Sequence, residues 1–285
     1  MDIVLRPAAP DDARDCGRLM YEAFKSIADR HHFPPDCPSA DVGAGFLGAL
    51  IAHPKFYGVV AERDGKTIGS SFIDERSPVL GIGPVTVDPS VQDSGIGRRL
   101  MEDMLRRATE RNAAGLRLLQ SAYHNRSLCL YTSLGFQTRE PVSLMQGSPL
   151  GLSFEGYRVR PAQLADVASC NALCRDVHGF DRGGELSDAI RRNTATIVEH
   201  LGEISGYATS TGFAGHSVAR SNRDLMALIA AATEFPGPGF LLPTRNHEVF
   251  AWCLANNLKL VMQMTLMTIG LYNEPNGAYL PSVWY

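Results

Sequence analysis

No apolar run in these 285 residues approaches the roughly 20 needed to span a bilayer. The first residues, Met1-Asp2-Ile3-Val4-Leu5-Arg6, lack the basic segment and apolar stretch of a secretory leader, so a cytoplasmic location is expected. An excess of one charge is missing too. With 27 basic and 30 acidic residues the net charge is -3, which supplies no overall field for nucleic acid or an anionic membrane. The six cysteines are scattered, and a chain of this length needs no covalent staples, so free thiols in a reducing compartment are expected. A nucleotide-hydrolysing P-loop string is absent, and only two of the three glycines of a dinucleotide fingerprint are present. What remains is an ordinary globular composition, 45% hydrophobic and 20% charged, long enough for two domains.

Two similar segments set the organisation. Residues 6–20 read RPAAPDDARDCGRLM and residues 160–174 read RPAQLADVASCNALC. A shift of 154 positions pairs Arg6 with Arg160, Pro7 with Pro161, Asp12 with Asp166, Cys16 with Cys170 and Leu19 with Leu173. Each copy reads as a strand end, a proline turn and a helix with apolar residues three and four apart. The spacing predicts a duplicated fold, with domains over 1–147 and 155–285 and a boundary at Gly147-Ser148-Pro149-Leu150-Gly151.

The first half alternates between elements. Helices are expected over about 41–52 and from Gly95 to Asn112, and strands near 56–62, 67–74, 81–87 and 116–120. Arg63-Asp64-Gly65-Lys66 carries a hairpin signal. Gly115 is expected to stop the second of these helices in a left-handed conformation, and Gly135 to stop a later one. The fold class is therefore α/β, a mixed sheet flanked by helices.

One stretch points to chemistry. The apolar strand ending Val85-Thr86-Val87 gives way at Asp88-Pro89, and Gln92-Asp93-Ser94-Gly95-Ile96-Gly97-Arg98-Arg99 opens a helix. Glycine permits positive φ and close backbone approach, so successive N–H groups can converge on one anion at the positive end of the helix dipole. Arg98 and Arg99 add charge there, and a pyrophosphate suits the site. A tight strand-to-helix turn is the plain alternative for the glycine pair alone.

Gln92-x-x-Gly95-x-Gly97-Arg98 after Val87-Asp88-Pro89 resembles the coenzyme A loop of the GCN5-related N-acetyltransferase (GNAT) family. Leu130-Tyr131-Thr132-Ser133-Leu134-Gly135-Phe136 resembles its second hallmark, a helix ending L-Y-x-x-L-G-F. The resemblance runs through residues 1–147 and implies two tandem acetyltransferase-like domains using acetyl-CoA as acyl donor. It implies that Val85 and Val87 hold the pantetheine arm through their backbone. It also implies that Gln92, Asp93, Ser94, Gly95, Ile96, Gly97 and Arg98 hold the pyrophosphate, and that Tyr131 protonates the leaving thiolate. Where relatives carry Asn on the last helix this chain has His124 followed by Asn125, and either can contact the cofactor. A strand glutamate common among relatives is missing, which leaves Asp74, Glu75 or a water relay as the general base; for Glu75 the plain alternative is a solvated turn pair with Arg76. Gly83-Pro84 is expected to mark a bulge that splays the strands.

The second half keeps the plan and loses the motifs. No glycine pair stands in Gly215-His216-Ser217-Val218-Ala219-Arg220-Ser221-Asn222-Arg223-Asp224, where Ser221 or Asn222 can cap the next helix. Asn257 replaces the helix-ending glycine, and Cys253 or Trp252 falls at the tyrosine position. This copy is expected to be degenerate. Cys170, Cys174 and His178 recur every four residues, a spacing that fits metal ligands; Cys16, Met20 and Phe24 at the matching positions favour a buried apolar stripe, and no metal is assigned. His31-His32-Phe33-Pro34-Pro35 is either an acceptor border, as the resemblance implies, or a plain surface loop. The aromatic tail Gly277–Tyr285 is expected to pack across the halves, against the first half, or along the acceptor pocket.

The resulting expectation is N-acetyl transfer from acetyl-CoA to a small-molecule or peptide amine acceptor in one ternary complex. The alternative is a non-catalytic acyl-CoA-binding sensor or scaffold.

Overall fold

A computed structural model describes residues 2–284. The first half runs β1 (Val4–Pro7), α1 (Ala13–His31), α2 (Ala40–Ala52), β2 (Phe56–Arg63), β3 (Lys66–Asp74), β4 (Val79–Val87), α3 (Ile96–Glu110), β5 (Gly115–Ser121), α4 (Asn125–Ser133) and β6 (Gln137–Gln146). The second repeats that order as β7 (Tyr157–Pro161), α5 (Val167–His178), α6 (Gly183–Arg191), β8 (Thr196–His200), β9 (Glu203–Ala208), β10 (Ser217–Ala219), α7 (Asn222–Ala231), β11 (Phe240–Pro243), α8 (His247–Ala255) and β12 (Lys259–Gly270). A short β13 (Ala278–Leu280) follows. Among the described residues no helix is long and apolar enough to cross a membrane.

The repeated sequence folds into repeated contacts. Arg6 forks onto Asp12 at 2.7 and 2.9 Å, and Arg160 forks onto Asp166 at 2.8 and 2.9 Å. Each aspartate also accepts the amide three residues before it, from Ala9 and from Gln163, which pins the turn into the first helix. The other side of each guanidinium reaches a glutamate on the neighbouring strand at 2.9 Å, Glu62 or Glu199. Fork geometry of this kind needs arginine, since a lysine cannot make two parallel bonds.

Local chemistry sets most element ends. Asp64 and Gly65 both take positive φ (53° and 72°), the requirement of a tight hairpin matched to strand twist. α3 buries Ile96, Leu100, Met101, Met104 and Ala108 against the sheet, while charged residues occupy its other face. Its end corrects an expectation: Asn112, at φ 50°, takes the left-handed position, and Gly115 begins β5. Asparagine tolerates that conformation. Gly115 is small for a different reason, because a Cβ there would meet the Leu271 backbone at 2.8 Å. Gly135 does stop α4, at φ 95°, and Phe136 folds back into the core.

The halves exchange their last long strands. One sheet runs β1-β2-β3-β4-β5-β12-β6-β11, so β12 of the second half pairs antiparallel with β5 of the first. β6 of the first half pairs with β11 of the second, and β6 and β12 pair with each other. The other sheet runs β13-β10-β9-β8-β7.

Two strand edges shape the cleft. β4 pairs with β5 only at Val79–Gly81 and then diverges from it, with a register shift opposite Gly83-Pro84, whose peptide is cis. The expected bulge is therefore present, and a slot opens between β4 and β5. At the matching place in the second half the edge of β10 is taken: β13 pairs with it antiparallel, Ser217 opposite Leu280. Ala278 and Leu280 pack with Phe240 and Leu242 of β11, so the tail fills the slot that the first half leaves open.

Candidate functional site

A cleft of about 1260 Å³ runs from the start of α3 along the β4–β5 slot to the loop between α1 and α2. That exceeds the ~300–1,000 Å³ of a typical small-ligand site and can hold two substrates together. The second half supplies part of its wall, including Thr209, Phe213, Pro236 and Trp284.

The glycine loop forms one end. Gly95 sits at φ 82° before α3, and Asp93 also takes positive φ, at 65°. The first intrahelical amide bond comes from Arg99 to Gly95 oxygen (3.1 Å), so the amides before it have no acceptor within the helix. Those amides and the helix dipole form an anion cradle. A Cβ on Gly95 would meet nothing within 4 Å, and one on Gly97 would touch Leu130 at 3.5 Å and Val87 at 3.8 Å. The cradle is open.

Side chains brace this loop. Gln92 Nε2 donates to Val87 oxygen (3.3 Å), Ser94 Oγ to Val91 oxygen (2.6 Å), and Arg98 to Ser133 Oγ (2.7 Å). Arg126 donates to both Asp93 oxygens (2.8 and 2.9 Å) and also to Gln92 Oε1. Sequence reasoning passed over Arg126, a lone basic residue on the neighbouring helix with no motif around it. It also placed Arg99 beside the anion. Arg99 instead donates to Ile3 oxygen (2.8 Å), because one residue along a helix turns a side chain about 100° away. Gln92, Asp93, Gly95, Ile96, Gly97 and Arg98 line the cleft; Ser94 does not.

Val85 and Val87 line the slot with one edge paired to β3, at Ser71 and Gly69. Their other edge faces the opening, free to pair with an extended chain. Tyr131 lines the same slot, half-buried, its ring edge-on to Phe136. Its hydroxyl has no hydrogen-bond partner among the described residues, and burial pushes the phenol up to about 12. It is the neutral, donating form at ordinary pH. His124 also lines the cleft. Burial, with Arg126, His31 and Arg30 nearby, pushes its imidazole down to about 4, so it is neutral, and Nε2 is sealed without a partner among the described residues. Asn125 is exposed and lies outside the lining.

The carboxylates considered as bases are engaged elsewhere. Glu75 is bound by Arg107 (2.6 Å) and Arg111 (3.2 Å) of the α3 segment, so the expected Glu75–Arg76 pair does not form. Arg76 instead clasps Asp74 at 2.6 Å and reaches Asp188 of the second half at 3.3 Å.

In the second half the matching machinery is closed. Ser221 caps α7 in a reciprocal box with Asp224, which also accepts from Ser205, so the helix start is satisfied internally. The helix end settles the tyrosine position: Phe136 N bonds Tyr131 oxygen at 3.0 Å, and Leu258 N bonds Cys253 oxygen at 3.0 Å. Cys253 is fully buried, as are Cys170 and Cys174, which pack with Leu173 and Val177 as apolar side chains.

Residues 54–138 match the family model of the acetyltransferase (GNAT) domain. That segment is similar to GNAT acetyltransferase domains. A mycothiol acetyltransferase of Thermomonospora curvata is 37% identical over 91 residues, covering 32% of this chain and 30% of the relative. The match thus spans under a third of the curated relative. A Pyrococcus horikoshii protein classed as an acetyltransferase superposes with TM-score 0.74 at 19% identity, covering 97% of this chain and 94% of its own. A tandem GNAT protein from clavulanic acid biosynthesis gives TM-score 0.56 at 13% identity, covering 95% and 100%. These likenesses extend the GNAT fold across both halves. The loop Gln92–Arg98, Tyr131 and the β4–β5 slot all fall within the matched GNAT domain.

The tail meets this site. Val283 N bonds Phe213 oxygen (2.8 Å), and Trp284 stacks on Phe46 and meets Phe56 edge-on. Both residues line the cleft, so the tail spans the halves and walls the pocket. Tyr285, the last residue of the expected aromatic tail, lies outside the described residues.

Proposed function

We propose that the chain is an N-acetyltransferase that moves the acetyl group of acetyl-CoA to an amine in a ternary complex. The observation that carries this is the shared cleft: the open amide cradle, the unpaired β4 edge and the Tyr131 hydroxyl all line it. The amides from Gln92 to Arg98 hold the pyrophosphate. Val85 and Val87 extend the sheet to the pantetheine arm, and the free edge of β4 polarises the thioester carbonyl. Tyr131 donates a hydrogen bond to the departing sulfur. An ordinary thiol has pKa about 8.5, so the proton settles on sulfur once the amine nitrogen releases its own.

The second half acts as a non-turning copy that completes the cleft, its own slot filled by β13. The cleft also has room for an acceptor beyond the slot, lined by residues of both halves, which argues against a sensor that binds only an acyl donor. The mycothiol acetyltransferase match covers only 32% of this chain, so it does not choose the acceptor. A thiol-release assay with acetyl-CoA and a panel of primary amines tests this reading. Amine-dependent release supports it; tight donor binding with no release for any amine points to the sensor.

A further inference from the structure

The loop between α1 and α2 places one carboxylate in the cleft without a partner. Asp36 lines the cavity, and its Oδ1 is sealed from solvent with no hydrogen bond among the described residues. Leaving a buried acceptor unsatisfied is costly, so such a group in a folded protein calls for an explanation. Three carboxylates line the cleft. Asp93 is held by Arg126, and Glu234 is exposed at the second half's rim. Asp36 is half-buried, and its sealed Oδ1 has no such partner among the described residues. The rest of its surroundings is largely apolar: Cys37 beside it packs in a cluster with Phe24, Phe46 and Trp284.

We propose that Asp36 receives the ammonium group of the acceptor and takes its proton, and that the acceptor is a primary amine on a largely apolar body. This rests on the acetyl-transfer reading above and adds the acceptor class and the missing base to it. An entering ammonium supplies the partner that Oδ1 lacks, and Phe24, Phe46 and Trp284 accommodate the apolar part.

The proton balance closes. The carboxylate of Asp36 accepts one proton from R–NH3+, leaving R–NH2 with a free electron pair. That pair forms the N–C bond to the thioester carbonyl, and the C–S bond breaks with its electrons going to sulfur. As the amide forms, Tyr131 gives its proton to the sulfur and takes back the second proton that the nitrogen loses. Asp36 then returns its proton to water.

The titratable groups around Asp36 fit a base. Cys37 follows it in the chain, and Tyr123 faces it from the turn after β5; burial raises both, so neither carries charge near neutrality. With no cation to hold it ionised, burial pushes Asp36 up to about 6. A base with a pKa near the working pH is ionised and still takes a proton readily.

The test uses the full chain, acetyl-CoA and 2-phenylethylamine as probe, comparing wild type with Asp36→Asn. Calorimetry should show equal acetyl-CoA affinity in both. Wild-type kcat/KM should rise with pH along a limb near 6, and the variant should lose about 100-fold or more at pH 7 together with that limb. Asp36→Glu should restore part of the rate. Equal rates and pH profiles in wild type and Asp36→Asn would overturn the role of Asp36 while leaving acetyl transfer standing. If wild type acetylates glucosamine but not 2-phenylethylamine, the apolar acceptor class is overturned. No turnover with any amine would instead bring down the acetyl-transfer reading itself.

Discussion

The indole Nε1 of Trp284 donates a 2.7 Å hydrogen bond to the carbonyl oxygen of Gly83, on the bulge where β4 parts from β5. The last described residue of the second half is thereby fastened to β4 of the first. Gly81 makes the approach feasible, since a Cβ there would meet Trp284 oxygen at 2.4 Å. This wall of the cleft is thus a product of both halves.

Replacing that indole should have two consequences. Trp284 is 6% exposed, and a large buried aromatic replaced by alanine typically costs about 3–5 kcal/mol. Trp284→Ala should therefore lower the denaturation midpoint and raise the acceptor KM, while acetyl-CoA affinity holds. Denaturant titration and steady-state kinetics check both; an unchanged KM would remove the tail from the acceptor wall.

Tyr131→Phe keeps the ring against Phe136 and deletes the hydroxyl, which bonds no described residue. Stability should barely move. Turnover should fall by about 100-fold, within the usual range for a positioned proton donor, with donor binding retained. Single-turnover kinetics at equal rates in the two proteins would take Tyr131 out of the mechanism.

Asp36 makes a separate prediction about stability. Its folded-state pKa is raised from 3.8 to about 6, so its neutral form is favoured in the fold. That contribution is complete below the unfolded value and is lost as pH rises through 6. Asparagine cannot ionise and keeps it. Asp36→Asn should melt above wild type at about pH 8 and level with it at about pH 3.5. Scanning calorimetry at the two pH values reads this, and a variant that melts lower at pH 8 would show a partner for the carboxylate.

The exchanged strands predict that the halves do not fold apart. Residues 1–147 alone would leave β5 without β12 and β6 without either neighbour, presenting open strand edges to other copies. That fragment should aggregate, and co-expression with residues 148–285 should rescue it. A monomeric, cooperatively melting fragment would contradict the exchange.

Much of this arrangement was legible in the sequence. The Arg6/Asp12 and Arg160/Asp166 pairs, the glycines at 95, 97 and 135, and the Tyr131 segment each report local geometry, and local geometry leaves a local pattern. The strand exchange leaves none, because β6 and β12 look alike as strands and only tertiary pairing decides their neighbours. Gly115 read as a helix stop because a glycine needed for close backbone approach looks the same as one needed for positive φ. Asp36 had no periodicity to mark it, being one acidic residue in a proline-containing loop. The filled slot of the second half was half visible: its missing glycines could be read, but the occupant, β13, lies some sixty residues further along the chain.

On the proposed function, backbone amides at the entrance of α3 grip the diphosphate of acetyl-CoA. Gly97→Glu tests it cleanly, because a Cβ at Gly97 meets only ordinary contacts, Leu130 at 3.5 Å and Val87 at 3.8 Å, so the fold should survive. Isothermal titration with acetyl-CoA should show a single site per chain in wild type and no measurable heat of binding in the variant. Undiminished binding by Gly97→Glu, or none by wild type, would contradict the account.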